Sequence, residues 1–215
     1  MNRFLAVAAL VLVALTSGCT LSSRIPLIEQ SERLPGLGDG RYQLYIALLP
    51  EDAAKLGNAE RKRCLDPGYR GEGSDTPGAP VERKHLVYCD RDPGTNEDAP
   101  VIKLRWAGDR YQVEGPEGAA AMRFRGDAAG LYLLQTDETS KANHYDYWFA
   151  RPHSAALEMF MLACTEFPSI AKQDEDGVSS CEIASLATVQ SELGAYAAGI
   201  GEGRKVPIAI LKPIP

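Results

Sequence analysis

The sequence lacks the short motifs that mark common catalytic and metal sites. It has only three histidines, His85, His144 and His153, and none lies in an HExxH or HxH pattern. No C-x-x-C pair is present, which argues against a four-thiolate zinc site. No G-x-S-x-G segment is present, so the nucleophile elbow of the α/β-hydrolases is excluded. These absences favour a protein that is not an enzyme and that holds no metal or cofactor.

An excess of positive charge is also missing, and the chain has no internal repeat. The formal net charge is −6 at pH 7, which argues against nucleic acid as a partner. About 195 residues follow the N-terminal apolar run, enough for one domain with a sizeable core. Composition therefore indicates one acidic globular domain that does not bind nucleic acid.

A long apolar run occurs once, at the N-terminus. Residues Phe4 to Leu15 are all apolar, and Arg3 is the only charged residue before them. A basic start followed by an apolar stretch of this length is typical of a secretory signal peptide. A transmembrane helix needs about 20 apolar residues, so this run is too short to be one.

The run ends in Leu15-Thr16-Ser17-Gly18-Cys19, which resembles the lipobox of bacterial lipoprotein precursors, with Thr16 where leucine is commoner. The resemblance implies cleavage before Cys19 and attachment of acyl chains such as palmitate to that cysteine. Lipoproteins of this type carry two or three chains, and stable anchoring needs more than one. Thr20, rather than an aspartate, comes next, which implies anchoring in the outer membrane, facing the periplasm. Ordinary secretion with Cys19 as a plain thiol stays open as the alternative.

The resemblance divides the chain into three parts. Residues 1–18 are expected to be the lipoprotein signal peptide, and residues 39–215 a single β-rich globular domain. Residues 19–38, which begin with the lipidated cysteine, are polar and contain prolines and glycines without a clean periodicity. Such a composition is typical of a flexible tether that holds a domain away from the bilayer.

Four further cysteines fit an exported protein: Cys64, Cys89, Cys164 and Cys181. Four cysteines allow three connectivities, and the sequence alone does not decide among them. The sequential pairing is the simplest, because each bridge then closes one Gly/Pro-rich or acidic loop. In the chain-entropy model, each such bridge stabilises the fold by roughly 3 kcal/mol.

For most of the domain, the sequence predicts short strands separated by polar turns. This pattern indicates antiparallel hairpins that form a meander or curl into a barrel, and the sequence does not distinguish the two. Prolines at positions 207 and 213 suggest an edge position for the last strand. The predicted strands are Arg41–Leu49, Lys84–Cys89, Val101–Trp106, Arg110–Glu114, Ala121–Arg125, Leu131–Thr136, His144–Ala150, Leu157–Cys164 and Val206–Leu211.

One helix is clearly predicted, over Ser185–Ile200, with an apolar stripe at helical spacing and Ser185 as the N-cap. A weaker helix is predicted over Glu51–Arg63, interrupted at Gly57. The expected fold class is therefore α+β and β-rich: an antiparallel meander or barrel-like sheet with a C-terminal helix packed on it.

The candidate ligand-binding residues lie mainly on one aromatic strand. Strand alternation places His144, Asp146 and Trp148 on one face. Together with Trp106 and Tyr111 they would line a cavity if the sheet closed into a barrel. The competing interpretation is that these aromatics only pack the core, and it is favoured because aromatic residues are common in strands.

Two acidic runs partly match calcium loops. The run from Asp90 to Asp98 and the run from Asp174 to Gly177 both miss required positions of the calcium-binding pattern. An S-x-x-K match at Ser169–Lys172 lacks the companion motifs of penicillin-recognising enzymes and is attributed to chance. No metal site is therefore expected.

Three functional hypotheses follow. The leading one is a non-catalytic interaction or scaffold module, held at the membrane by its lipid and bound to another envelope protein. The alternative is a lipocalin-like barrel that binds a small molecule. The third is a hydrolase in which His144 and Asp146 activate a distant nucleophile such as Ser154.

Overall fold

The computed structural model describes residues 20–73, 82–92, 97–116, 118–127, 130–137, 143–173 and 179–215. The lipobox-like segment, including Cys19, part of the first acidic run and the whole of the second lie outside these ranges. The strands are β1 Ser22–Ser23, β2 Gly40–Leu48, β3 Arg70–Gly73, β4 Glu82–His85, β5 Val87–Cys89, β6 Arg91–Asp92, β7 Glu97–Asp98, β8 Val101–Trp106, β9 Tyr111–Gly115, β10 Gly118–Gly126, β11 Tyr132–Asp137, β12 Tyr145–His153, β13 Ala156–Met161, β14 Lys172–Gln173, β15 Ser179–Ser180 and β16 Ala209–Ile214. The helices are α1 Pro50–Ala53, α2 Asn58–Arg61 and α3 Gln190–Gly201, with 3₁₀ turns at Cys164–Glu166 and Leu186–Val189.

Eight of these strands form a closed antiparallel barrel. Their order is β12-β11-β10-β9-β8-β2-β16-β13, and β13 pairs back with β12 to close the ring. The prediction of a β-rich α+β fold with a barrel-like sheet is confirmed, and the sheet is a closed barrel rather than an open meander. Closure leaves no unpaired edge among these strands, which removes a common route to aggregation.

The inner face of the barrel carries the first hydrophobic core. Alternate residues point inward along each strand, so Trp148 and Ala150 of β12 face the interior while Tyr147 and Phe149 face outward. The buried members of the inner core are Leu34, Leu37, Tyr42, Leu104, Tyr111, Met122, Phe124, Leu134, Trp148, Ala150, Leu157 and Leu211.

A second core lies outside the barrel, between β11–β13 and the C-terminal helix. The helix stripe expected from the sequence is buried there, with Val189, Leu193 and Ile200 at most 3 % exposed. The predicted N-cap is also confirmed, because the Ser185 hydroxyl accepts a bond from the Ala187 amide at 3.2 Å. The first turn is a 3₁₀ turn, and the α-helix begins only at Gln190.

Two disulfides link chain segments that lie outside the barrel. Cys64 is bonded to Cys89 and Cys164 to Cys181, which is the sequential pairing. The first bridge links the short helices to β5. The weakly predicted helix there is two separate helical turns, α1 and α2, with Gly57 between them.

Residues 20–38 are packed against the barrel, so the prediction that they form a flexible tether is wrong. Leu21, Ile28, Leu34 and Leu37 are each at most 5 % exposed. β1 pairs with β12, and Leu34 and Leu37 cover one end of the barrel. The apolar residues of this segment lack a period of 2 or 3.6 because each fills a different part of the surface.

The predicted edge position of the last strand is also wrong, since β16 lies between β2 and β13. Pro213 lies beyond the last β13 pair, Leu157 with Leu211, so its missing amide hydrogen does not interrupt that ladder. No helix in the described part of the chain is long and apolar enough to cross a bilayer.

Candidate functional site

The barrel has two ends, joined by strand β12. At the first, called here the His144 end, β12 begins and β11 finishes at Asp137. At the other, called the Ser154 end, β12 turns into β13 through a two-residue loop. The sequence-predicted ligand residues are divided between these ends, with Trp148 between them.

The His144 end holds a pair of titratable side chains. His144 Nε2 lies 3.2 Å from Asp146 Oδ1, and these side chains are only 25 % and 14 % exposed. Asp146 pairs across the ladder with Thr136 of β11. By strand alternation, Thr136 shares the inner face with Leu134, and Asp146 shares it with Trp148.

Two polar atoms of this inner face are buried without a partner. They are the indole Nε1 of Trp148 and the hydroxyl Oγ1 of Thr136, for which the described residues supply no hydrogen bond. Leaving such a group unpaired costs about 1–3 kcal/mol, so buried polar atoms are normally bonded to protein, water or ligand. Both atoms can donate a hydrogen bond, so each would be satisfied by an acceptor on a bound water or ligand.

Apolar side chains surround these donors and are partly open to solvent. Leu44, Ile102, Val113 and Met161 belong to the inner core but are only partly buried. Ile102 and Met161 lie near the ends of their strands on the His144 side, whereas Leu44 and Val113 lie in the middle of β2 and β9. Partly buried apolar side chains together with a few polar groups are the usual composition of a small-molecule site.

The middle of the barrel is filled by side chains. Leu104, Tyr111, Phe124, Leu134 and Leu157 are all at most 1 % exposed. Among the described residues these side chains fill the centre of the barrel, so a ligand would have to lie near one of its ends. The large-cavity version of the lipocalin hypothesis does not fit this packing.

Trp106 and Tyr111 do not join the His144 group. Their rings contact each other edge to face, with centroids 4.9 Å apart. The Tyr111 hydroxyl accepts a bond from the Leu34 amide at 3.1 Å and donates to the Leu37 carbonyl at 3.0 Å. Trp106 and Tyr111 thus serve to hold the segment that covers the Ser154 end.

A small pocket of about 230 Å³ lies at the Ser154 end, between residues 35–37 and residues 152–157. Its rim is the β12–β13 loop, where Ser154 and Ala155 have φ values of 49° and 63°. A two-residue hairpin loop with positive φ at both positions favours Asn-Gly, and neither Ser nor Ala is suited to it.

We expect the double substitution Ser154→Asn and Ala155→Gly to raise the free energy of unfolding by about 1 kcal/mol, because Asn and Gly tolerate left-handed backbone better. Urea unfolding measures this. The matched control is Gly108→Ala at the β8–β9 turn, where φ is 94° and no atom obstructs a Cβ. That substitution should lower stability by about the same amount. A loop variant no more stable than the native chain would contradict the interpretation.

The hydrolase hypothesis with Ser154 as the nucleophile fails on distance. Asp146 and Ser154 lie at opposite ends of β12, separated by eight residues of extended chain. At about 3.3 Å per residue the separation is roughly 26 Å. Ser154 therefore cannot act on a substrate held by His144 and Asp146.

Sequence reasoning missed a buried charged cluster on the outer face of β12 and β13. Glu158 is 4 % exposed and accepts a bond from Arg151 Nε at 2.7 Å. The Tyr69 hydroxyl also donates to Glu158, and His153 Nδ1 lies 3.5 Å from it. Arg151 and Glu158 are direct cross-strand partners, but that signal becomes visible only when the hairpin register is known.

Burial and the neighbouring Glu158 raise the pKa of Tyr69 to about 12. Burial raises the pKa of Tyr88 and of Tyr196 further above the usual value. A phenol whose pKa is raised on folding stabilises the fold below the unfolded pKa of about 10. That stability is lost as the pH rises from about 10 towards 12, because the unfolded chain ionises first.

We therefore expect urea stability to fall steeply above about pH 10, with the buried tyrosines ionising only as the protein unfolds. Absorbance at 295 nm, recorded together with circular dichroism, measures both events. Reversible ionisation of all nine tyrosines with the fold intact would contradict this expectation.

The described residues contain no cluster of three or more His, Cys, Asp or Glu side chains able to hold a metal ion. In the comparisons with known proteins, no family model, no curated protein and no solved structure matches this chain.

Proposed function

We propose that this protein is a lipoprotein of the bacterial envelope whose barrel is a non-catalytic binding module. The lipobox-like segment supports an anchor at Cys19 in the outer membrane, with the domain facing the periplasm. The two disulfides are consistent with export to an oxidising compartment. The observation that carries the binding function is the pair of unpaired donors, Trp148 Nε1 and Thr136 Oγ1, inside the His144 end.

The surroundings of these donors define the chemistry of the ligand. A carbonyl or ether oxygen is a suitable acceptor for either donor, and the half-buried apolar side chains nearby suit an attached hydrocarbon group. The nearby Asp146 carboxylate disfavours an anionic ligand by charge repulsion. Because the centre of the barrel is filled, the ligand is a small neutral molecule or the end of a larger one.

Native mass spectrometry of the full-length protein tests this directly. We expect a bound small-molecule mass in the native chain and about tenfold weaker retention in Thr136→Val, the effect of losing one hydrogen bond. Trp106→Phe, at the other end, is the matched control and should keep the ligand.

The same Thr136→Val variant gives a second readout. If no ligand binds, removing an unpaired buried hydroxyl is neutral or stabilising in the isolated protein. A variant as stable as the native chain, with no ligand mass in either, would overturn the small-molecule function. A protein partner crosslinked in cells, and lost in Cys19→Ala, would then favour the interaction or scaffold module.

A further inference from the structure

We propose that the domain rests directly on the phospholipid surface, with the β1 side facing the bilayer and no spacer between lipid and fold. The inference depends on the proposed lipid anchor at Cys19. It goes beyond that anchor because it assigns the face of the domain and its partner, the lipid headgroup layer.

The first observation is how early the fold begins. Thr20 is 6 % exposed and forms a bridge with Ala163. Leu21 is fully buried; its amide donates to the Leu162 carbonyl at 2.8 Å, and its carbonyl accepts from the Tyr147 amide at 2.9 Å. The chain is therefore held on both sides from the first residue after Cys19.

The next residues are held equally firmly. The Ser22 amide donates to the Cys181 carbonyl at 3.0 Å, and the Ile183 amide donates to the Ser22 carbonyl at 2.8 Å. Ser23 is fully buried, and its hydroxyl contacts that of Tyr147 at 2.8 Å. β1 is thus a strand inserted between β12 and the segment after the second disulfide. It cannot detach to form a linker without breaking its hydrogen bonds to both.

Covalent geometry then limits the distance between lipid and domain. A flexible tether of about 20 residues would allow a root-mean-square separation of roughly 25 Å. Here Cys19 is joined to Thr20 by one peptide bond, and neighbouring Cα atoms are about 3.8 Å apart. Acyl chains on Cys19 can enter the bilayer only if the surface around β1 approaches the headgroups.

The turn that follows β1 carries one exposed apolar side chain next to an exposed arginine. Ile25 is 53 % exposed, and within the described ranges it is the only large apolar side chain with such exposure. Its neighbour Arg24 is 69 % exposed and pairs with Glu182 at 2.7 Å. An apolar tip beside a guanidinium suits the boundary between acyl chains and phosphates. The Ser23 hydroxyl donates to the Ile25 carbonyl, which fixes this turn.

The cysteine content provides a clean background for a test. All cysteines after Cys19 are paired, so one introduced cysteine can be labelled selectively. Lipidated full-length protein carrying Ile25→Cys or, as the control, Ser154→Cys would be labelled with a fluorophore and reconstituted into phosphatidylcholine vesicles containing nitroxide-labelled lipid. A third protein carries Ile25→Cys and an inserted Gly/Ser linker of about 20 residues between Cys19 and Thr20.

Direct contact predicts that nitroxide lipid quenches the Ile25 label about threefold more than the Ser154 label, and that the linker removes most of this difference. Equal quenching at both positions in vesicle-bound protein would overturn the inference while leaving the anchor intact. Failure of the unlabelled protein to float with vesicles, together with an unmodified Cys19 by mass spectrometry, would overturn the anchor and the inference together.

Discussion

Replacing Gln135 with leucine lowers the free energy of unfolding by about 3 kcal/mol. Gln135 is fully buried on the outer face of β11, under the N-terminal segment. Its carbonyl oxygen accepts bonds from the Leu27 amide at 2.8 Å, the Ile28 amide at 2.9 Å and the Tyr147 hydroxyl at 3.1 Å. A leucine keeps the volume but leaves the buried Ile28 amide without its acceptor and removes the shorter of the two bonds made by the Leu27 amide.

Urea denaturation measures the loss, and hydrogen exchange locates it. Exchange at the Leu27 and Ile28 amides should accelerate more than exchange in the barrel, since this part of the segment loses the acceptor that both amides share. Gln112→Leu is the matched control, because Gln112 bonds only to the exposed Arg105 side chain. Its effect should stay within about 0.5 kcal/mol. Equal losses in the two variants would show that Gln135 does not attach the segment.

Replacing Arg151 with methionine lowers the free energy of unfolding by about 3–5 kcal/mol, because it leaves the buried Glu158 carboxylate without its cation. Arg151 bonds Glu158 through Nε and the Tyr69 hydroxyl through a second nitrogen at 3.0 Å. Its guanidinium also lies 5.3 Å from the ring centre of Phe160. Methionine retains the apolar stem but supplies neither charge nor donors.

The double variant Arg151→Met with Glu158→Gln separates charge from packing. Removing both charges should restore most of the lost stability, since no unpaired buried ion remains. Lys103→Met breaks the exposed pair with Glu114, a 3.3 Å contact in which both side chains are about 60 % exposed, and should cost less than about 1 kcal/mol. A double variant no more stable than Arg151→Met would show that packing, rather than the unpaired carboxylate, causes the loss.

Local patterns predicted the barrel strands well because each strand has one face that must be apolar. The alternation around Trp148 is an example: Trp148 faces inward, and Tyr147 faces the second core. The C-terminal helix was equally visible, since its stripe from Leu186 to Ile200 repeats at helical spacing. Barrel closure was not visible, because the pairing of β13 with β16 and of β16 with β2 joins strands distant in the chain.

The N-terminal segment was wrongly predicted to be a tether because amino-acid composition does not reveal long-range contacts. Its polar residues resemble a linker, yet Leu21, Ile28 and Leu34 each fill a separate place on the barrel. The sequence could only partly predict which candidate ligand residues lie together, for the same reason. Strand alternation grouped Asp146 with Trp148, but the position of Tyr111 at the other end depends on the register of the whole sheet.

The most direct test of the central claim is the mass of the N-terminal peptide of the mature protein, isolated from the membrane fraction of cells that produce the full-length chain. We expect a peptide that begins at Cys19 and carries two or three acyl chains, with Cys19→Ala protein found in the soluble fraction. A mature chain that begins elsewhere, or an unmodified Cys19 in a soluble protein, would contradict it.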